Sequence, residues 1–352
     1  MPQERTVLIT GVSGNLGSRL LPMLPDFRIV GVDMRPPEVS GLMRFEEMDL
    51  GRESCCMQMI DLLRETEPHA VVHLAFILDP LRMGVLDVER MWQINVAGTA
   101  RVMEAISVVN RTGGRVSQFI FPSSVSVYGP ETPGPVKEDF PLRAHTLPYA
   151  VHKRESDEVV RYRADSLGEC STYILRPHIY TGASMQNYMV GALRGTPLGR
   201  SKRAARMRAA GKRLPLMLPR GDQYPAKRLQ FVHVDDVARL VRFLLERPPG
   251  DQKMTILNVA GRGEPVTVQQ CAEIAHATIK RVPTRAACRT ILRLLWKLGL
   301  SSIPPAALPY MIGSYTMDTT RLQQFLGTHY PQVIQYTVTD ALRDSFTTVD
   351  SG

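Results

Sequence analysis

The chain has few of the residues that build disulfide frameworks and metal centres. Its 352 residues include five cysteines, of which Cys55 and Cys56 are adjacent and none forms a CxxC pair. Its eight histidines show no spacing typical of metal ligands. The sequence therefore predicts reduced, mostly buried thiols and no metal site.

Long hydrophobic runs are also absent. No apolar run approaches the roughly 20 residues that a membrane-spanning helix needs. The first candidate strand, "TVLIT", begins at residue 6 and leaves no room before it for a signal peptide. We therefore expect a cytoplasmic protein.

Acidic residues are scarce in one particular segment. Residues 194–228 contain eleven lysines and arginines but a single acid, Asp222, so this segment carries a charge of +10. The whole chain carries +9, and its remainder is therefore close to neutral. A basic pI that comes from one segment gives little reason to expect a nucleic-acid partner.

Short β-branched runs alternate with longer helical patterns in the first half of the chain. This alternation predicts an α/β fold with a doubly wound parallel sheet of the Rossmann type. The predicted strands lie at residues 6–10, 28–33, 44–49, 70–76, 116–124 and 171–177. The longest predicted helix covers residues 88–110, where apolar residues recur every three or four positions.

A glycine-rich loop, "LITGVSGNLGSRLL", joins the first strand to a helix. Gly11, Gly14 and Gly17 would provide a tight turn, a close approach of backbone to a pyrophosphate and close helix packing. Asp33 lies 22 residues after Gly11, where a carboxylate accepts the ribose hydroxyls of NAD and repels the 2′-phosphate of NADP. Arg35 would partly accommodate that phosphate, so NAD is the expected cofactor and NADP the less favoured one.

We expect two closely joined domains from a chain of this length. Residues 1–180 would form the NAD(P)-binding domain and carry the catalytic residues, and residues 181–352 would form a smaller mixed α/β lobe that binds substrate. The two are interleaved, because residues 231–262 have strand and helix patterns that would return to the core sheet. The basic segment 194–228, with its "LPLMLPRGDQYP" tail, reads as a loop.

Tyr149 and Lys153 lie four residues apart in "LPYAVHKRES". On a helix they would share one face, where the ammonium would lower the phenol pKa from its usual value of about 10. Such a pair would move a proton on or off an alcohol. By itself the spacing also fits an unrelated Tyr and Lys on a surface helix.

Seven short motifs together resemble a known family. "TGVSGNLG", "HLAF", "NVAGT", "SSVSVYG", "YAVHK", "LRPHIYTG" and "FVHVDDVA" follow one another as in the extended short-chain dehydrogenase/reductases, the NAD-dependent epimerase/dehydratase group. The resemblance implies that Tyr149 is the catalytic acid/base and that Lys153 lowers its pKa and holds the nicotinamide ribose. It implies that Ser124 hydrogen-bonds the substrate oxygen.

The same resemblance, with the glycine loop, gives a set of expected cofactor-binding residues: Gly11, Gly14, Asn15, Leu16, Gly17, Asp33, Arg35, Asp49, Leu50, Leu74, Ala75, Asn95, Tyr149, Lys153 and Pro177. For two of them a structural role competes. Asp49 either reaches the adenine or forms a strand-end turn, and Asn95 either lies beside the cofactor or bonds a neighbouring strand.

Several further polar residues have expected places near this site. His73 would pack beneath the cofactor without transferring a proton, whereas His178 and Tyr180 would lie at the cleft or in the core. Asp235 and Asp236 look like paired catalytic acids, but we expect them to cap a helix and join the two lobes.

The predicted reaction is hydride transfer between NAD and a secondary alcohol or ketone, catalysed by Tyr149. Two alternatives are a nucleotide-sugar epimerase or dehydratase, which resembles UDP-glucose 4-epimerase, and a non-catalytic NAD(P) sensor. The sensor is disfavoured because such proteins usually lose the Tyr or the Lys.

We expect a small-molecule substrate that is not a nucleotide sugar. Family members that bind nucleotide sugars have an asparagine where this chain has Ile179, and a phosphate-binding arginine where it has Leu229. A second arginine, expected before Asp318, is absent from residues 306–317. An apolar substrate would instead suit a group of large side chains: Met185, Tyr188, Met189, Leu216 and Met217. Segment 194–228 would restore the nucleotide reading if it supplied phosphate contacts.

Two surfaces have expected partners. Basic residues recur every fourth position at Arg281, Arg285, Arg289, Arg293 and Lys297, with apolar residues nearby at 291, 294–296 and 298. This pattern fits a solvated helix face or weak contact with an anionic membrane surface. The helices at 88–110 and 149–167 match those that pair in the family, which suggests a homodimer.

Overall fold

The sequence runs predicted as strands pair into a central sheet. The computed structural model describes residues 5–78, 81–82, 85–250 and 252–347. The strands are β1 (Arg5–Thr10), β2 (Phe27–Asp33), β3 (Arg44–Glu47), β4 (Ala70–His73), β5 (Leu81–Arg82), β6 (Val85–Leu86), β7 (Gln118–Pro122), β8 (Glu131–Val136), β9 (Ser171–Pro177), β10 (Ile179–Thr181), β11 (Leu216–Pro219), β12 (Arg228–Leu229), β13 (Phe231–His233), β14 (Met254–Val259), β15 (Val266–Thr267), β16 (Ile279–Val282) and β17 (Ser314–Met317).

The α-helices connect these strands and cover the sheet. They are α1 (Asn15–Leu20), α2 (Cys55–Thr66), α3 (Val88–Trp92), α4 (Gly98–Arg111), α5 (Pro148–Arg163), α6 (Tyr188–Arg194), α7 (Lys202–Ala209), α8 (Val234–Glu246), α9 (Val268–Ile274), α10 (Arg285–Lys297), α11 (Leu308–Ile312), α12 (Thr320–Leu326), α13 (Tyr330–Val333) and α14 (Val338–Asp344). No helix of the described residues is long and apolar enough to cross a membrane.

Seven parallel strands form the main sheet in the order β14-β9-β7-β4-β1-β2-β3. Its strands are mostly buried because helices cover both faces, with α2, α4 and α5 on one side and α1, α8 and α12 on the other. The predicted doubly wound fold is confirmed. The strand order reverses between β1 and β4, and in such sheets ligands bind outside the carboxyl ends at this reversal.

The second part of the structure is a smaller lobe with its own apolar core. Its strands form two-stranded sheets, of which β10–β13, β11–β16 and β8–β17 are parallel and β12–β15 is antiparallel. In the chain, β14 comes after the lobe strands β10 to β13, but it pairs with β9 at the edge of the main sheet. The chain therefore crosses between sheet and lobe more than once.

The predicted helix at residues 88–110 is interrupted. A π-helical turn at Gln93–Ala97 separates α3 from α4. The Asn95 carbonyl there accepts hydrogen bonds from Thr99 Oγ1 at 2.6 Å and Ser156 Oγ at 2.9 Å. These side-chain bonds satisfy the widened turn, and π-turns inside α-helices are frequent at functional sites.

The reading of residues 194–228 as a loop is wrong, because α7 and β11 lie inside this segment. Ser201 caps α7 by accepting from the Ala204 amide at 3.1 Å, and Arg208 donates back to the Gly199 carbonyl at 3.1 Å. β11 is held by pairing with β16. These contacts come from distant residues and from caps, so local hydrophobic periodicity did not reveal them.

The role expected for Asp235 and Asp236 is only partly right. The cap of α8 is His233, whose side chain accepts from the Asp235 amide. Asp236 is fully buried and accepts from the amides of Gln335 at 3.0 Å and Tyr336 at 3.2 Å. It therefore joins α8 to the segment before α14 and caps no helix.

The end of α14 closes the lobe over the chain that follows β10. Asp344 accepts from the Ala183 amide at 3.0 Å, and Ser345 Oγ accepts from the Gly182 amide at 3.0 Å. Arg194 donates to the Ser345 carbonyl at 2.7 Å. Residues late in the chain therefore fix the loop that begins at Gly182.

A buried ion pair links the sheet to α5. Arg176 on β9 donates to both carboxylate oxygens of Asp157, at 2.8 and 2.9 Å, and both side chains are fully buried. Arg176 also donates to Tyr128 Oη at 2.8 Å and to the Glu138 carbonyl at 2.7 Å, and Ser123 Oγ donates to Asp157 at 2.6 Å. Every charged atom of the pair has a partner.

Arg176→Met should lower the free energy of unfolding by about 3–5 kcal/mol, because it leaves the Asp157 carboxylate buried without its cation. The double variant Arg176→Met/Asp157→Leu should lose less than the two single losses combined. Urea unfolding of all four proteins measures this. As a control, Arg343→Met removes the exposed pair with Asp340 and should cost under about 1 kcal/mol. Equal costs for the buried and exposed pairs would contradict the assignment.

Candidate active site

The glycine loop lies where the sheet order reverses. Gly11 has φ +71°, and a Cβ there would lie 2.4 Å from the Ala75 nitrogen, after β4. A Cβ on Gly17 would lie 2.2 Å from the Val12 carbonyl oxygen. Both positions therefore require glycine, for the turn and for close packing, as the sequence predicts.

Asp33, at the end of β2, faces this loop. Its carboxylate accepts from the Ser13 amide at 3.0 Å and from the Met34 amide at 2.7 Å. The Ser13 hydroxyl donates to the Arg35 carbonyl, and the Arg35 side chain is exposed. A glycine cradle with an adjacent carboxylate fits a pyrophosphate and an adenosine ribose, so these residues suit NAD.

Asp49 is engaged by protein groups. It accepts from the Gly51 amide at 3.0 Å and forms ion pairs with Arg90 and, at 3.4 Å, Arg52. Burial raises its pKa, but the hydrogen bonds and cations outweigh burial and lower it overall. These contacts are those of a turn-forming carboxylate, and the adenine contact stays a prediction.

Asn95 bonds the chain that leaves β4. Its side chain accepts from the Ile77 amide at 2.7 Å and donates to the Ile77 carbonyl at 2.9 Å. Asn95 thus fixes the segment after Leu74 and Ala75, whose backbone packs against Gly11. Its contact with cofactor stays a prediction, as do those of Asn15, Leu16, Leu50 and Pro177.

Tyr149 and Ser124 come together at the carboxyl end of β7. Pro148 begins α5, so Tyr149 is in its first turn, and Ser124 follows β7 directly. The two side chains line the same cavity. Burial raises the pKa of Tyr149 to about 12, against the lowering effect of Ser124. The phenol is therefore a proton donor at neutral pH.

Lys153 is held by a backbone carbonyl and an aromatic ring. Its ammonium donates to the Pro122 carbonyl at 2.7 Å and lies 3.6 Å from the centroid of the Phe76 ring. Phe76 also meets Tyr149 edge-on, with centroids 5.7 Å apart. Burial lowers the pKa of Lys153 to about 7, opposed by the Asp157 carboxylate. Its predicted lowering of the Tyr149 pKa and its predicted contact with the nicotinamide ribose stay predictions.

The histidines near the site are structural. His73 is buried between Thr10 at 2.6 Å and Thr99 at 3.0 Å, and burial lowers its pKa to about 3. His178 bonds the Tyr315 carbonyl at 2.8 Å, and burial lowers its pKa to about 4. Both are neutral at physiological pH and neither is positioned as a proton carrier.

A cavity of about 180 Å³ opens beside Tyr149 and Ser124. His178 and Tyr180 line it, which places them at the cleft, and so do Met185, Tyr188 and Met189. Leu216 and Met217 line a neighbouring cavity instead. None of the described residues that line the catalytic cavity is charged. We call this space the catalytic pocket.

Sequence reasoning missed part of this wall. Phe76 contacts Lys153 and Tyr149, while Tyr310 and Tyr315 line the pocket from far along the chain. The "HLAF" motif contains Phe76, but nothing in its spacing indicates the contact. In the described part of the chain, no cluster of three or more His, Cys, Asp or Glu residues could hold a metal ion.

The chain is similar to curated epimerases. The UDP-glucose 4-epimerase of Erwinia amylovora is 31% identical over 198 residues, which make up 55% of this chain and 56% of that enzyme. The UDP-glucose 4-epimerase of Bacillus subtilis is 29% identical over 250 residues, or 66% of this chain and 70% of that enzyme. The chain thus matches little more than half the length of the Erwinia relative.

Solved structures share the fold over nearly the whole chain. MoeE5, in complex with UDP-glucuronic acid and NAD, has a TM-score of 0.65 at 22% identity and 97% coverage of both chains. The Thermus thermophilus UDP-glucose 4-epimerase complex with NAD has a TM-score of 0.66 at 20% identity, covering 97% of this chain and 98% of that one. At such identities the likeness establishes the fold alone.

Residues 7–260 match the family described as the NAD dependent epimerase/dehydratase family. The matched range includes the glycine loop, Tyr149, Lys153 and β14. The family resemblance predicted from the sequence is thereby confirmed. The chain belongs to the NAD dependent epimerase/dehydratase family.

Proposed function

We propose that the protein catalyses reversible hydride transfer between NAD and an apolar secondary alcohol or ketone. The observation that carries this proposal is that Tyr149 and Ser124 lie together at the wall of an uncharged pocket. The glycine loop and Asp33 lie at the reversal point of the same sheet, where a dinucleotide would bind. When bound, NAD would accept the hydride from the alcohol carbon, and NADH would return it to the ketone.

The proposed proton path uses Tyr149. In ketone reduction its hydroxyl gives a proton to the carbonyl oxygen, and in alcohol oxidation the phenolate takes that proton back. Ser124 Oγ holds the substrate oxygen beside the phenol. Lys153 would bind the ribose hydroxyls of the cofactor, which requires its ammonium to turn from the Phe76 ring.

The pocket lining supports a non-nucleotide substrate. Ile179 lines the pocket, and Leu229 is buried in the lobe core while its neighbour Arg228 is exposed. The cations of segment 194–228 give no side chain to the described lining; Arg194 and Arg213 bond backbone carbonyls instead. A diphosphate buried there without cations would be costly.

A nucleotide-sugar epimerase is the second candidate, favoured by the similarity to two UDP-glucose 4-epimerases. That reading needs a phosphate-binding cation in the lobe. The structure offers none among the described lining residues of the catalytic pocket.

Two wider proposals follow from the fold. A homodimer would pair α4 and α5, and the exposed Val88, Trp92 and Tyr162 on or beside these helices support it. A cytoplasmic location is supported by five free cysteines.

Tyr149→Phe should reduce turnover by about 10²–10⁴-fold, because it removes the proton donor and leaves the ring in place. NADH formation is measured with cyclohexanol, 1-phenylethanol and a long-chain secondary alkanol, and NAD binding by calorimetry should change little. Tyr162→Phe, at an exposed position of the same helix, is the matched control. Unchanged turnover in Tyr149→Phe, or no turnover by NAD-loaded wild type with any of these alcohols, would refute the proposed reaction.

Lys153→Met should remove a pH dependence of stability. The native pKa of Lys153 is lowered to about 7, so between pH 7 and 10 the unfolded chain holds a proton that the native state has released. The unfolding free energy of wild type should therefore rise with pH relative to the variant, by at most about 1.4 kcal/mol per pH unit. Urea titrations at pH 7, 8 and 9 measure it, with the exposed Lys280→Met as control. If the difference in unfolding free energy between wild type and Lys153→Met did not change with pH, burial would not destabilise the charged form of Lys153.

UDP and UDP-glucose should not bind the NAD-loaded protein at micromolar concentration, because the described pocket wall has no cation for the diphosphate. Calorimetric titration tests this, with the Bacillus subtilis UDP-glucose 4-epimerase as the positive control. Micromolar binding that weakens with salt would establish the epimerase reading instead.

A further inference from the structure

Three of the large apolar side chains exposed in the described structure lie at one place. Leu198 precedes α7 and is 40% exposed, and Leu294 and Leu298, at the end of α10, are 55% and 50% exposed. The two segments are joined by backbone hydrogen bonds from the Gly199 amide to the Leu300 carbonyl and from the Ser201 amide to the Gly299 carbonyl. The leucines therefore belong to a single surface.

The same surface is strongly basic. Seven exposed cations from α7, α10 and the turn before α7 make no hydrogen bond or ion pair with described residues: Arg200, Lys202, Arg203, Arg206, Arg289, Arg293 and Lys297. No Asp or Glu occurs in residues 170–221 or 274–317, the two segments that supply it. We call these cations, with Leu198, Leu294 and Leu298, the basic face.

A series of uncharged cavities leads from Tyr149 toward this face. The catalytic pocket shares Leu78, Gln186, Asn187 and Tyr188 with a second cavity of about 140 Å³. Leu198 lines that second cavity, which shares Gly191, Thr196, Ser301 and Ile303 with a third of about 70 Å³. None of the described lining residues of the three cavities is charged. A series of adjoining uncharged cavities thus extends from Tyr149 to the basic face.

The combination of features favours a lipid surface as partner. Each Lys or Arg near an anionic bilayer contributes about 1 kcal/mol of attraction, and exposed leucines gain by entering its apolar boundary. A nucleic acid would use the cations but offer no apolar environment for the leucines. An acidic protein partner would bind the cations but would not explain why the series of uncharged cavities ends at Leu198.

We propose that the basic face docks on an anionic bilayer and that the substrate is a lipophilic alcohol or ketone that enters from the bilayer past Leu198. The docking half is independent of the chemistry. The substrate half rests on the proposed function and narrows its substrate class.

Docking is tested by sedimenting the full chain, loaded with NAD, with vesicles of phosphatidylglycerol and phosphatidylcholine, and with phosphatidylcholine alone. Binding should require the anionic lipid and weaken with salt. Arg293→Glu/Lys297→Glu should weaken it at least about 25-fold, from about fivefold per cation. Leu294→Ser/Leu298→Ser should weaken it about tenfold or more at the same charge. Arg115→Glu/Arg321→Glu and Met57→Ser, at exposed positions of the main domain and C-terminal region, are the matched controls.

Three outcomes would overturn the docking: no pelleting with anionic vesicles at low salt, equal losses in the control variants, or full affinity in the leucine variant. The last result would leave a purely ionic surface, and tight binding of a DNA duplex by that variant would identify a nucleic-acid partner instead.

The substrate half is tested by turnover of a long-chain secondary alkanol held in anionic vesicles against water-soluble cyclohexanol. Leu294→Ser/Leu298→Ser should lose at least about tenfold on the vesicle substrate and keep its rate on cyclohexanol. Equal rates on both substrates in this variant would overturn entry from the bilayer. Docking without turnover of either alcohol would instead count against the proposed reaction, so the two failures are distinguishable.

Discussion

The buried ion pair between Arg176 and Asp157 fixes the elements that carry the active site. Asp157 lies on α5, two turns beyond Tyr149, and Arg176 lies on β9. Ser123, which bonds Asp157, directly precedes Ser124. Because a buried charge without its partner is very costly, α5 cannot shift along the sheet without breaking the pair. The placement of Tyr149 beside Ser124 therefore depends on a buried ion pair elsewhere in the fold.

The sequence predicts the sheet well because most of its strands are buried and rich in β-branched residues. The predicted bounds of β9 are those of the structure, and those of β1 and β2 differ by one residue at their starts. β4 and β7 are shorter than predicted at their carboxyl ends. There the chain leaves the sheet, and two residues predicted as strand lie outside it: Ala75 packs against Gly11, and Ser124 lines the pocket. Hydrophobic pattern alone does not distinguish such residues from those of the strand.

The rest of the site depends on contacts that spacing does not encode. The four-residue spacing predicts that Tyr149 and Lys153 share one face of α5. It does not predict which side chain packs against them. Phe76, which lies after β4, contacts both side chains, and the Lys153 ammonium lies over its ring. In the same way, Tyr310 and Tyr315 reach the pocket from a lobe whose folding brings distant residues together. Such contacts are tertiary, so a single sequence does not reveal them.

The hydrogen bonds from the end of α14 to the loop after β10 have a consequence for how the protein is made. The Asp344 carboxylate accepts a hydrogen bond from the Ala183 amide, although the two residues are 161 positions apart in the chain. At a translation rate of about 5–20 residues per second, roughly 10 to 30 seconds separate their synthesis. During that interval the nascent chain already contains the glycine loop, Asp33 and Tyr149. Most strands of the main sheet can thus take shape on the ribosome while the smaller lobe still lacks the residues that hold its loop in place.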